Sequence, residues 1–166
     1  LLPDAVEARL GELFDAELNP SDEPRTAGQL AHAMRTADGL LVTVTDHVDA
    51  AVLGAAPRRA GIVANFGVGY NHIDGTAAAA GGIVVTNTPG VLTEDPADLA
   101  MTLMLMVARR AGEGERHLRS GAWTGWRPTH MLGTRLTGAT LGIVGMGSIG
   151  RAVAARVRGG NVAAIN

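Results

Sequence analysis

The sequence predicts an α/β protein with a doubly wound parallel sheet. Three observations carry this. Short runs rich in Val and Ile alternate with Ala- and Leu-rich stretches of helical period. The links between them are short and marked by Gly and Pro, as in repeated strand–helix–strand units. Glycine supplies 23 of 166 residues, about twice the usual share, which suits tight turns and close helix–sheet packing.

The elements follow in order. Val6, Leu10, Leu13 and Phe14 recur on one face of a first helix, and Ala27, Leu30, Ala31 and Met34 on one face of a second. Gly39 to Thr45 is an expected strand with little alternation, as when both sheet faces are covered. Asp49 to Ala56 is a short helix stopped by Pro57, and Gly61 to Phe66 a second strand. A helical turn over Thr76 to Ala80, broken by Gly81-Gly82, leads to a third strand, Ile83 to Thr86, and a turn at Asn87-Thr88-Pro89-Gly90. The longest helix follows. Thr93 is its expected N-cap, Glu94, Asp95 and Asp98 suit its positive end, and Arg109-Arg110 its negative end. Pro96 falls in the first turn, where a missing N–H costs nothing. Gly112 and Gly114 are expected to loosen the chain, and 118–137 reads as an extended arm. Ala139 to Val144 is a strand, Ser148 to Arg158 a helix, and Val162 to Ile165 the start of another strand.

Composition narrows the function. A hydrophobic share of 46% against 18% charged residues supports a packed core. A net charge of -2 and a pI near 6.2 argue against a protein that coats nucleic acid or anionic membrane. The absence of cysteine excludes a disulfide scaffold, a thiolate metal site and a cysteine nucleophile. The apolar run Leu99 to Ala108 is far shorter than the ~20 residues that span a bilayer, and Leu1-Leu2-Pro3-Asp4 does not read as a leader, so a cytoplasmic protein is expected. No histidine has a second ligand at metal spacing, so no metal site is expected.

Gly145-Met146-Gly147-Ser148-Ile149-Gly150 has the form G-x-G-x-x-G, after an apolar strand and at the start of a helix. Gly145 permits the tight turn, Gly147 lets backbone N–H groups approach a pyrophosphate, and Gly150 lets the helix pack close on the strand. The helix N-terminus adds free N–H groups and partial positive charge. Ser148 is not a nucleophile on an elbow, because Met146 breaks G-x-S-x-G. The residue that separates NAD from NADP belongs about 20 positions further on, at or past Asn166. The expected cofactor is therefore NAD or NADP, the two not separated; the other reading is a glycine-rich strand-to-helix turn with no ligand.

A second segment, Asn65 to Asp74, follows a strand, with glycines on both sides of Val68. It reads either as a plain loop or as a nest of N–H groups that binds an anion. His47 and His72 fall in loops near it and are candidates for ligand contact. His32 and His117 read as solvated helical residues, and His130 sits in the arm.

The segments NFGVGYNHID, GGIVVTNTPGVLTEDPADLAMTLMLMVARR, RSGAWTGW and TLGIVGMGSIGRA, in that order, resemble the D-isomer-specific 2-hydroxyacid dehydrogenases, most nearly the glyoxylate/hydroxypyruvate reductase branch. The likeness runs from Leu2 to about Gly159. It implies a flavodoxin-like substrate domain over 1–90 and the first part of a Rossmann NAD(P)-binding domain over 91–166. It implies that Val68 and Gly69 offer backbone N–H groups to a small 2-oxo or 2-hydroxy acid. It implies that Gly145, Gly147, Ser148, Ile149 and Gly150 hold the pyrophosphate, and that Thr93 lies beside the nicotinamide half. It also implies a homodimer through residues 93–137, with Trp123 and Trp126 at the contact. Simple packing is the other reading of those tryptophans.

The family's catalytic arginine, glutamate and histidine map beyond Asn166, so no catalytic residue is assigned within this chain, and the chain alone is expected to be inactive. Arg109, Glu113 and His117 are not candidates merely for being the right residue types. The leading expectation is hydride transfer between NAD(P)H and a small 2-oxo acid. The alternatives are a nicotinamide-sensing corepressor-like binding protein on the same scaffold and a structural remnant with an open strand edge.

Overall fold

The computed structural model describes residues 2–157 and the strand 161–165. It divides into two compact units, Leu1–Pro89 and Gly90–Asn166. Both are α/β with parallel strands, as the alternating sequence pattern predicts.

The first unit holds α1 (Asp4–Leu13), α2 (Ala27–Thr36), β1 (Gly39–Val42), α3 (Ala50–Leu53), β2 (Ile62–Asn65), α4 (Gly75–Ala80) and β3 (Val84–Thr86). The strands lie in the order β1-β2-β3, all parallel. Leu40, Val63 and Val85 are in register across them. Leu40 and Val63 are buried and join Met34, Val42, Val48, Val52 and Ile73 in one core. Each helix start is chemically marked. Thr26 and Gln29 form a reciprocal capping box, Asp49 accepts from the Val52 N–H at 2.9 Å, and Asp74 from the Ala77 N–H at 2.9 Å.

Two expectations are corrected here. Helix α1 forms, and none of its residues is buried. The sheet is covered on one face only: Leu41, Ile62 and Val84 are exposed, so burial alternates along β1 where continuous burial was expected. Strand β1 also stops at Val42 rather than Thr45. The Asp46 carboxylate accepts from the Thr43 N–H at 2.9 Å, and the Asp46 N–H donates to the Thr43 carbonyl at 3.0 Å, which turns the chain.

The second unit holds α5 (Glu94–Ala108), α6 (Ala111–Arg119), β4 (Thr140–Val144), α7 (Ser148–Arg156) and β5 (Asn161–Ile165), with β4 and β5 parallel. Ala97, Ile143 and Val153 form its buried cluster. Arg156 ties α7 to α5, meeting Glu94 at 2.7 Å and Asp98 at 2.5 Å. Those two acids answer an arginine as well as the helix dipole. They hold the Arg156 guanidinium above its usual pKa, through hydrogen bonds to Asp98 first and Glu94 second. The expected helix end at Arg158, and Gly159, Gly160 and Asn166, lie outside the described residues.

Two corrections concern this unit. Thr93 does not cap α5 through its side chain. Its own backbone is helical (φ -71, ψ -41), and its hydroxyl makes no capping bond. Gly112 and Gly114 do not loosen the chain after Arg110; they lie inside α6. That helix starts where Arg110 turns left-handed (φ 55) and grips Glu113 at 2.6 Å, and a second pair, Arg119–Glu115 at 2.7 Å, supports its last turn. Arg110 thus serves the start of α6 rather than the end of α5. The segment after α6 folds back on α5: the Thr134 N–H donates to the Ala108 carbonyl at 2.7 Å, and a Cβ on Gly133 would stand 2.5 Å from that same oxygen.

Candidate functional site

Two loops at carboxyl ends of parallel strands carry the expected site residues. The first follows β2. Asn65, the last residue of that strand, is buried, and its carboxamide is fully engaged. Its Nδ2 donates to the carbonyls of Gly67 at 3.0 Å and Gly69 at 2.9 Å. Its Oδ1 meets His72 Nε2 at 3.0 Å. The Val68 carbonyl between them accepts from Asn87 Nδ2 at 2.8 Å, and the Thr88 N–H adds a bond to the Gly67 carbonyl at 3.0 Å. Three successive carbonyls, at 67, 68 and 69, are therefore satisfied inside the unit. The next three N–H groups, at Val68, Gly69 and Tyr70, meet no acceptor among the described residues.

Peptide planarity links these facts. In a trans peptide the N–H of one residue points opposite to the carbonyl of the residue before it. Carbonyls drawn toward Asn65 and Asn87 thus turn the following N–H groups away from those side chains. Neither glycine is forced by positive φ. A Cβ on Gly69 would meet nothing within 4 Å. A cavity of about 370 Å³ lies alongside, lined by Tyr70, Ala78, Ile83, Thr86 and Asn87. His72 is half-buried with its Nε2 on Asn65 Oδ1, and His47 is exposed.

The second loop joins β4 to α7, and its glycines have distinct reasons. Gly145 takes φ 91, a conformation that L side chains rarely adopt. Gly150 packs so near the Gly145 carbonyl that a Cβ would overlap its oxygen, and the same Cβ would stand 3.4 Å from Ile143 Cγ2. Gly147 has neither constraint: φ is -68, and nothing lies within 4 Å of its Cβ position. The N–H groups of Gly147, Ser148, Ile149 and Gly150 meet no acceptor among the described residues; the first bond of this turn runs from the Arg151 N–H to the Gly147 carbonyl at 3.0 Å. Arg151 Nη1 takes the Met146 carbonyl at 2.9 Å, which by the same planarity turns the Gly147 N–H the other way. A cavity of about 400 Å³ runs along β4 to this turn, lined by Ala100, Met104, Ile143, Gly145, Ile149 and Gly150. Open amides, positive helix dipole and a side-chain-free position suit a diphosphate.

Thr93 is half-buried at the start of α5 and lines neither cavity. Trp126 is 81% exposed and Trp123 51%. No group of three or more acidic or histidine side chains among the described residues could hold a metal ion. No helix among them is long and apolar enough to cross a membrane. Sequence reasoning did not single out Asn65, Asn87 or Arg151. The available signal was a polar side chain ending an apolar strand directly before a glycine loop.

Comparison with known proteins gives a consistent answer. The family described as D-isomer specific 2-hydroxyacid dehydrogenase, catalytic domain, matches residues 1–164. A glyoxylate reductase of Korarchaeum cryptofilum is 43% identical over 159 residues, which cover 95% of this chain and 48% of that protein. A glycerate dehydrogenase of Hyphomicrobium methylovorum is 38% identical over 158 residues, covering 95% of this chain and 49% of that one. The crystal structure of an NADPH-dependent glyoxylate/hydroxypyruvate reductase of Sinorhizobium meliloti, in complex with NADP and malonate, superposes with a TM-score of 0.78 at 38% identity. It covers 99% of this chain and 50% of that one. The chain spans about half the length of the relatives it matches.

Proposed function

The chain belongs to the D-isomer-specific 2-hydroxyacid dehydrogenase family, and on that premise we propose that it forms the carboxylate-binding loop and the diphosphate-binding turn of an NAD(P)-dependent reductase of small 2-oxo acids such as glyoxylate or hydroxypyruvate. One observation carries the proposal. At the ends of β2 and β4 the carbonyls are tied to protein donors, and consecutive N–H groups are left open beside positions that lack a Cβ.

In this reading the unit up to Pro89 is the substrate domain, and the residues from Gly90 begin the coenzyme domain. The amides of Val68 and Gly69 hold the substrate carboxylate. The amides of Gly147, Ser148 and Ile149 hold the diphosphate, with Gly145 shaping the turn and Gly150 seating α7 on β4. Thr93 flanks the nicotinamide half. When bound, NAD or NADP supplies or accepts the hydride; the chain's own residues bind and orient. Fixing both partners by main-chain groups lowers the entropic cost of bringing them together. The relatives' names are those of reductases and a dehydrogenase, and none favours a nicotinamide-sensing corepressor.

The reading includes a homodimer through residues 93–137. It is supported by exposed Leu103, Val107, Leu118, Trp123 and Trp126 on α5, α6 and the segment after them. Cytoplasmic residence goes with the same reading.

The test is a spectrophotometric assay of the complete polypeptide that carries this chain, with NADH or NADPH and glyoxylate or hydroxypyruvate. Cofactor oxidation that depends on the 2-oxo acid is expected. No rate above background with any small 2-oxo acid contradicts the proposal.

A further inference from the structure

We propose that Asn65 is a positioning residue that orients the 67–70 loop for carboxylate binding, with Asn87 completing the hold; this rests on reading that loop as the substrate-carboxylate site. Asn65 is 3% exposed, so its carboxamide must find partners inside the protein or destabilise the fold. It finds three. Both hydrogens on Nδ2 go to loop carbonyls, at Gly67 and Gly69, while Oδ1 faces His72 Nε2. A carboxamide oxygen can only accept, so His72 carries its proton on Nε2 in this contact. The two loop carbonyls, which can only accept, decide which end of the carboxamide faces the loop.

The consequence is geometric. Gly67 and Gly69 present their carbonyls to one buried donor pair, and the Val68 carbonyl between them is held by Asn87 from the end of β3. Rigid peptide planes then set the directions of the Val68, Gly69 and Tyr70 N–H groups. Without these side chains the Val68 and Gly69 carbonyls are free to turn toward an incoming carboxylate, which they would repel. An apolar residue at 65 could fill the core as well as asparagine does, but it would leave the Gly69 carbonyl without a donor and the Gly67 carbonyl with the Thr88 N–H alone. The choice of a buried asparagine is thus explained by the loop rather than by the core.

Asn65→Asp tests this with almost no change of shape. It replaces the donor pair by an oxygen set against two carbonyls. Asn87→Ala, at a more accessible position, frees only the Val68 carbonyl. In the complete polypeptide, Asn65→Asp is expected to raise the KM for glyoxylate about tenfold or more, with kcat and the KM for NADH or NADPH within about twofold, because the lost interaction is uniform binding. Asn87→Ala is expected to raise the same KM about threefold. A purely structural role would lower thermal stability and active fraction and leave the KM for glyoxylate where it was.

Titration of glyoxylate into 15N-labelled protein reads the loop without turnover: the Val68, Gly69 and Tyr70 amides shift in the wild type and not in Asn65→Asp. If Asn65→Asp does not fold, Asn87→Ala decides by the same two readouts. An unchanged KM and an unchanged amide response in a folded variant overturn the positioning role while leaving the reductase reading intact. A wild-type amide response without turnover overturns the reductase reading and leaves the positioning role intact. Neither turnover nor response overturns both.

Discussion

Gly150 lies against the Gly145 carbonyl oxygen so closely that no Cβ fits between them. One side chain added there must push α7 off the end of β4. Gly147, two residues after Gly145, sits in the same turn with open space at its Cβ position. The pair separates packing from ligand approach. Gly150→Ala is expected to cost about 1–3 kcal/mol, the usual range for overpacking. Gly147→Ala is expected to leave stability within about 0.5 kcal/mol, as surface substitutions do, while weakening NADH or NADPH binding. Thermal melts and fluorescence titrations of the two variants check both halves.

Met34 is fully buried between α2 and the sheet and belongs to the largest side chains of the first core. Truncation leaves a cavity that β1 and β2 cannot close without moving. Met34→Ala is expected to destabilise by about 2–5 kcal/mol, measurable as a lowered urea midpoint with unchanged slope.

Asp74 caps α4, immediately after the segment that carries the candidate carboxylate loop. Asp74→Ala is expected to cost about 0.5–2 kcal/mol, and Asp74→Asn, which keeps an acceptor, much less. Hydrogen exchange at Ala77 and Ala78 should rise in the alanine variant.

His130 and His117 stack at a tilt with ring centroids 4.9 Å apart, and the Nε2 atom of each is buried without a partner among the described residues. Desolvation first, then the nearby charges of Arg127, His117 and Arg110, hold His130 below the usual imidazole pKa. The unfolded chain therefore takes up a proton at a pH where the folded chain does not. Stability contributed by His130 is present above the unfolded value of about 6.5 and is lost as pH falls from there through the depressed folded value. The melting temperature is expected to drop between about pH 7 and pH 5. His130→Phe is expected to flatten part of that drop, as seen in melts at matched ionic strength.

The alternation of strands and helices was legible because each strand is a short β-branched run closed by a turn residue. The reasons for Gly145 and Gly150 were legible because backbone handedness and steric contact are local. Helix α6 was not, since two glycines argue against a helix, and what supports it is ion pairing from Arg110 to Glu113 and from Arg119 to Glu115. The exposed side of α1 was hidden because periodicity reports an apolar face and not what meets it. Asn65 was illegible for a third reason: its partners at Gly67, Gly69 and His72 are set by the fold of the loop, which composition does not reveal.

The most direct test of the central claim is a crystal structure of the complete polypeptide with NADP and malonate. The account expects a malonate carboxylate within hydrogen-bond distance of the Val68 and Gly69 amides, and the NADP diphosphate on the amides of Gly147, Ser148 and Ile149. Either anion seated elsewhere, or the carbonyls of residues 67–69 turned toward the carboxylate, would contradict it.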